Sequence, residues 1–240
     1  MRLLTLGPRT AGPTGRITTM GKQTGFTLVE IAIVLVIVGL LLGGVVVGQA
    51  LITNARVRNL ASMQEEVKTA YFGFRDRYRA LPGDYNLAST NLPNVAATSD
   101  GNGDGQILLN GAMFDESIAA WEHLSKAGFL TGAYTYNATV SAATNPTSPY
   151  GVFLQLIYDN VYADAGAPVA RHNLKLGNQI PVGIIAELDR KIDDGNAQTG
   201  SFRFSSYNQG GPAPTPANCH VAGVWQVQTS ESNCGGATLF

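Results

Sequence analysis

The chain has 240 residues, is 45% hydrophobic and carries a net charge of −1. That length suits one or two domains. The near-zero charge argues against a nucleic-acid partner, and the high apolar content argues against a disordered chain. The charge is unevenly placed: residues 1–25 hold Arg2, Arg9, Arg16 and Lys22 with no acidic residue. From Leu81 onward, six basic residues face thirteen acidic ones. Between these regions lie an uncharged run and a cationic stretch from Arg56 to Arg79. Basic, apolar, basic and then acidic is the layout of a membrane-anchored protein.

Ile31 to Gly48 is a run of 18 residues without a charge, long enough for a transmembrane helix. A secretory signal peptide is the competing reading, with Gly48-Gln49-Ala50 as a small-residue cleavage site. The run is too long for that, since signal cores span about 7–15 residues. It also follows the hexapeptide Gly25-Phe26-Thr27-Leu28-Val29-Glu30. A carboxylate beside a membrane span is costly and calls for a partner. Cleavage after Gly25 would create an amino terminus at Phe26, one helical turn from Glu30 or within reach of Glu30 on a neighbouring copy.

Gly-Phe-Thr-Leu-Val-Glu ahead of a long apolar helix resembles the prepilin cleavage and methylation motif of type IV pilins and type II secretion pseudopilins. The resemblance implies that Gly25 is the last leader residue, recognised by a prepilin peptidase. It also implies N-methylation of Phe26, and that Glu30 neutralises the terminal amine of a neighbouring subunit during assembly. Major type IVa pilins often carry a proline where this chain has Val47. That departure leans towards a pseudopilin or minor-pilin-like protein. Met20 is a candidate translation start, giving the six-residue leader Met-Gly-Lys-Gln-Thr-Gly; the stretch before it reads as disordered.

The helix is expected to continue past the span. Val57, Leu60, Met63, Val67, Tyr71, Phe74, Tyr78 and Leu81 recur at spacings of three and four with charged residues between them. That is an amphipathic pattern, ended by Pro82-Gly83. Gly39, Gly43, Gly44 and Gly48 either permit close helix contact or are simply common residues of a span. Beyond Pro82, 92–111 and 131–149 read as polar loops. Residues 115–127 and 181–193 read as short helices, and 150–158, 169–176, 201–206 and 221–229 as strands, with 210–216 a linker. The expected fold is α+β, a long N-terminal helix packed on a mainly antiparallel head as in pilins. The expected organisation is a leader over 1–25, a membrane and assembly helix over 26–51, its amphipathic continuation over 52–80, and a head over 81–240.

Asp100, Asn102 and Asp104, with Gly105 and Gln106, match the first half of a calcium loop, D-x-N-x-D-G. Alternate oxygen ligands there converge on a hard cation, Gln106 contributing its carbonyl. The twelfth position is Gly111 rather than Glu, so Asp115 or Glu116 would have to supply the last carboxylate. An ordinary Asp/Asn/Gly turn is the alternative. Pseudopilin heads often bind calcium, which the resemblance does not tie to this loop. Cys219 and Cys234 are the only cysteines, and in an oxidising compartment they should pair. Many type IV pilins have a C-terminal disulfide loop of this kind.

His123, His172 and His220 are scattered, and no catalytic motif calls for an enzyme. The resulting expectation is a type IV pilus-like filament subunit. It would be held in a bacterial inner membrane as precursor and then reside in a periplasmic or extracellular filament. Its partners would be prepilin peptidase and copies of itself or other pilins. A type II secretion pseudopilin is the runner-up, and a monomeric, membrane-tethered, calcium-dependent adhesin a third reading.

Overall fold

The computed structural model describes residues 25–110 and 114–240. The expectations for the leader before Gly25, for Met20 and for Gly111 lie outside them. The chain divides into two compact units, one to Val47 and one from Gly48 to Phe240. Helix α1 (Leu28–Tyr78) is a single element. In the first unit its large apolar side chains, from Leu28 to Val47, are exposed. The helix is long and apolar enough to cross a membrane.

Helix α1 stops at Tyr78, before the Pro82-Gly83 pair expected to end it. A proline ring clashes with the carbonyl four residues earlier, here that of Tyr78, and bars the residue before it from helix. Arg79 accordingly turns into the left-handed region at φ 54°.

In the second unit, α1 buries Val57, Leu60, Gln64, Val67, Ala70, Tyr71 and Phe74. Most of the expected apolar stripe is there, with Met63, Tyr78 and Leu81 partly buried at its margin. The stripe serves two cores. Val67 to Phe74 pack with Trp121, Leu124, Leu154, Leu156 and Leu174. Val57 and Leu60 belong with Ile185, Leu188, Phe202, Phe204 and Trp225.

The remaining elements of the head are short. Helix α2 (Ala88–Asn91) and a 3-10 turn (Ala97–Ser99) precede β1 (Leu109–Asn110) and β2 (Phe114–Asp115), and α3 spans Glu116–Lys126. Asp115 caps α3, its carboxylate accepting from Ser117 N at 2.9 Å. Strands β3 (Gln155–Asp159) and β4 (Arg171–Lys175), helix α4 (Val182–Ile192) and strand β5 (Phe202–Phe204) follow. β4, α4 and β5 fall inside the expected ranges but are shorter, and β3 starts later than expected and runs one residue past the expected end.

Three expectations are corrected. The strand expected over 221–229 breaks into β7 (Val224–Trp225) and a 3-10 turn (Val227–Thr229). β7 pairs with β6 (His220–Val221) in a two-stranded hairpin. The linker region ends in a helical turn, α5 (Pro216–Cys219). The C-terminal Gly236–Leu239, not expected to be a strand, is β8 and lies inside the main sheet, ordered β3-β4-β8-β5 and antiparallel throughout. Gly236 explains the small residue at the start of β8, since a Cβ there would meet the Phe202 ring at 2.3 Å.

Cys219 and Cys234 form a disulfide. Cys234 also bridges to Ile180, so the bond ties the β6–β7 region to the lead-in of β8. With its ends 15 positions apart in sequence, such a loop contributes about 3 kcal/mol on the chain-entropy account.

Candidate functional site

Two constellations carry the chemistry. The first is the start of α1. Thr27 precedes the helix, and its backbone N and Oγ1 both donate to Glu30 Oε2, at 2.8 and 2.9 Å. Glu30 N donates back to Thr27 Oγ1 at 3.2 Å. This is a capping box, which satisfies otherwise orphan helix-start donors and sets a carboxylate against the positive end of the helix dipole. Gly25 and Phe26 lie immediately before it, Phe26 being 85% exposed. The sequence reading gave Glu30 one role, towards a neighbouring amine, and passed over Thr27. The T-x-x-E spacing was the signal available for the second role. Among the described residues, no atom outside the local helix backbone would come within 4 Å of a Cβ on Gly39, Gly43 or Gly44.

The second constellation is in the head. Gly83 sits at φ 87°, where a Cβ would meet the Glu116 carbonyl at 2.2 Å. That close approach brings Asp84 against the start of α3. Asp84 then organises the loop around its own carboxylate: Oδ1 accepts from Asp104 N at 2.9 Å and Oδ2 from Gly105 N at 3.0 Å. Glu116 holds the loop from the other side, accepting from Asn102 N at 3.2 Å and Leu108 N at 3.0 Å. His123, buried on α3, clamps both ends of the segment. Its Nδ1 accepts from Gly83 N at 2.9 Å and its Nε2 donates to Ser99 O at 2.8 Å. Burial lowers its pKa to about 4, so the ring is neutral at pH 7.

The proposed calcium ligands are divided by this arrangement. Asp104 and Glu116 come together with Asp84, one oxygen from each lying within 4.8 Å of the others. Asp100 faces elsewhere, its carboxylate accepting from Ser89 N at 2.6 Å and Ser89 Oγ at 2.7 Å. Asn102 Oδ1 accepts from Asp104 N, and Gln106 N donates to Asp104 Oδ1. The Asn102 and Asp104 side chains therefore shape the turn through Asx-type bonds, which Gln106 joins only through its backbone N–H. Asp84 was not anticipated, because it lies outside the D-x-N-x-D-G run; its position just after the Pro82-Gly83 break was the only cue. Burial raises the pKa of both Asp84 and Glu116. The backbone N–H bonds pull the other way, and the nearby Asp104 charge adds to the rise. Three hard carboxylates so close repel one another, and the donor set suits calcium chemically. A second acidic group, Asp189, Asp193 and Asp194, lies at the end of α4, where Asp189 accepts from Trp225 Nε1 at 2.7 Å.

The model for the prokaryotic N-terminal methylation motif matches residues 20–46, the stretch that contains Gly25, Phe26, Thr27 and Glu30. No curated protein and no solved structure matches the chain. The motif, the long apolar helix and the antiparallel head together support a type IV pilin-like protein. More particularly, the N-terminal segment is similar to that of a pilin or pseudopilin precursor. Such a motif implies processing by a prepilin peptidase and assembly with pilins, and the apolar helix fits a membrane-anchored precursor.

Proposed function

We propose that this protein is a structural subunit of a type IV pilus-like filament. It is cleaved after Gly25, N-methylated at Phe26 and assembled through the N-terminal part of α1. The observation that supports this most is the placement of Glu30, a carboxylate at the start of α1, whose large apolar side chains from Leu28 to Val47 are exposed. The capping box uses one oxygen, Oε2, for both Thr27 donors. Oε1 stays available for the amine of a neighbouring Phe26. One carboxylate thus caps its own helix and neutralises the next subunit.

The experiment is a pair of substitutions. Thr27→Ala removes the capping partner and keeps the charge; Glu30→Gln keeps the shape and removes the charge. Sheared-filament preparations should contain the Thr27→Ala protein and lack the Glu30→Gln protein, with both precursors present in the membrane. Filaments containing Glu30→Gln at wild-type level would contradict this role.

The head is proposed to bind calcium through Asp84, Asp104 and Glu116, the three carboxylates that the fold brings together. A divalent cation there would offset their repulsion and stiffen the loop that they hold.

A further inference from the structure

A cavity of about 370 Å³ opens on the head, against the four-stranded sheet, a size within the range of small-molecule sites. Directly opposed residues of antiparallel strands share a face. Thr238, bonded to Gln64 of α1, shares its face with Leu174 and Phe202. Gln155, Ile157, Asp159, Asn173 and Lys175 therefore lie on the opposite face, away from α1. Four of them, all but Asn173, line the cavity, together with Tyr207 from the segment after β5.

This wall holds polar groups with unused hydrogen-bonding capacity, on the buried Gln155 and Lys175 and the half-buried Asp159. Lys175 is 1% exposed. Its Nζ donates to Asp159 Oδ1 at 2.8 Å and Val161 O at 3.0 Å. An ammonium has three N–H donors, so one remains. Gln155 is 9% exposed and stands opposite Lys175 in register. Its amide, which carries both donors and an acceptor, bonds no group among the described residues. Asp159 commits Oδ1 to Val161 N, Asn173 and Lys175, and leaves Oδ2 without a protein partner among the described residues. Buried polar groups are normally satisfied. Gln155 and Lys175 are buried residues that keep hydrogen-bonding capacity at the cavity wall, where a bound molecule could use it.

The charges narrow the ligand. Lys175 and Asp159 are ion-paired and offset each other, and the remaining wall carboxylate, Asp115, repels an anion. Donors and acceptors alternate over a short span, which matches adjacent hydroxyl groups, each able to donate and accept. Ile157 and the Tyr207 ring add an apolar surface of the kind that packs on the C–H face of a sugar ring. We propose that this cavity binds a neutral polyhydroxylated ligand of hexopyranose size, held by Gln155, Lys175 and Asp159.

The full chain, reconstituted in phosphatidylcholine nanodiscs that contain no sugar, can be tested by saturation-transfer NMR. The probes are the methyl glycosides of glucose, galactose, mannose and N-acetylglucosamine. At least one should show saturable transfer. Gln155→Leu should weaken it by roughly tenfold, about the loss of one good hydrogen bond. Tyr207→Ala, outside the regular sheet, provides a second test should Gln155→Leu disturb the strand; it should also weaken binding. Val224→Ser, on the exposed β6–β7 hairpin, should leave binding as it is. No transfer to any of the four glycosides would overturn the proposal, as would binding undiminished in both Gln155→Leu and Tyr207→Ala.

Discussion

Gln64 and Thr238 stand 174 residues apart and are joined by a buried hydrogen bond, Thr238 Oγ1 donating to Gln64 Oε1 at 2.5 Å. Gln64 interrupts the apolar stripe of α1, and Thr238 lies in β8, flanked by strands on both sides. The bond therefore fixes the register of α1 against the sheet at a point where apolar packing alone would permit sliding. Gln64 Nε2 has no partner among the described residues, so the contact trades some stability for position.

Breaking one side should cost more than removing both. Thr238→Val strands the Gln64 oxygen and should destabilise the head by about 1–3 kcal/mol, the range for a buried polar group left unpaired. Adding Gln64→Leu should restore most of that loss, since two apolar groups replace a matched polar pair. Urea unfolding followed by tryptophan fluorescence measures both. A double variant as unstable as the sum of the singles would show that the pair is not coupled.

Asp189 should make head stability depend on pH. Its carboxylate is fully buried, and burial pushes its pKa up to about 6, with the charges of Asp194 and Asp193 adding to the rise. The unfolded value is about 3.9, so the folded state holds the proton more tightly. The stabilising contribution is full below about pH 4 and is lost as pH rises through 6. Asp189→Asn should flatten that part of the stability profile. Trp225, whose Nε1 donates to this carboxylate, should report the titration by fluorescence with a midpoint near 6. His220 lies 6.4 Å from Trp225 between ring centres, and burial lowers its pKa; His220→Gln separates the two. A Trp225 signal flat between pH 4 and 7 would remove Asp189 as the titrating group.

Calcium should raise the melting temperature of the full chain relative to chelator. A cation that binds only the folded form stabilises by about 2.7 kcal/mol at a hundredfold excess over its dissociation constant. Asp104→Asn keeps the turn-forming oxygen and removes one charge, so it should shrink the difference while the disulfide stays intact. Protons compete for the same carboxylates, so the shift should shrink as pH falls. Identical melting in calcium and chelator would leave Asp84 and Glu116 as organisers of the loop alone.

Legibility in the sequence followed the range of the interactions. The apolar run and the stripe from Val57 to Phe74 are local periodicities, and α1 lies where they place it. Asp115, Glu116 and Gly128 likewise bracket α3 by short-range capping rules. β8 was hidden because Gly236-Ala237-Thr238-Leu239 has a weak strand pattern; it is a strand because β4 and β5 pair with it on either side. The acidic cluster was half legible, since Asp104 and Glu116 lie near a recognisable run. Asp84 joins them only through the close approach of Gly83 to α3. Gln155 and Lys175 looked like ordinary strand residues, and only cross-strand register sets them side by side.

The proposed function makes Gly25 to Glu30 a processing and assembly site and not merely a membrane anchor. Intact and peptide mass spectrometry of protein taken from the membrane and from sheared filaments tests it most directly. The account predicts a mature chain that begins at N-methylated Phe26. A chain beginning at Leu51, as a signal-peptide cleavage would leave, or one that still carries the residues before Phe26 in filaments, would contradict it.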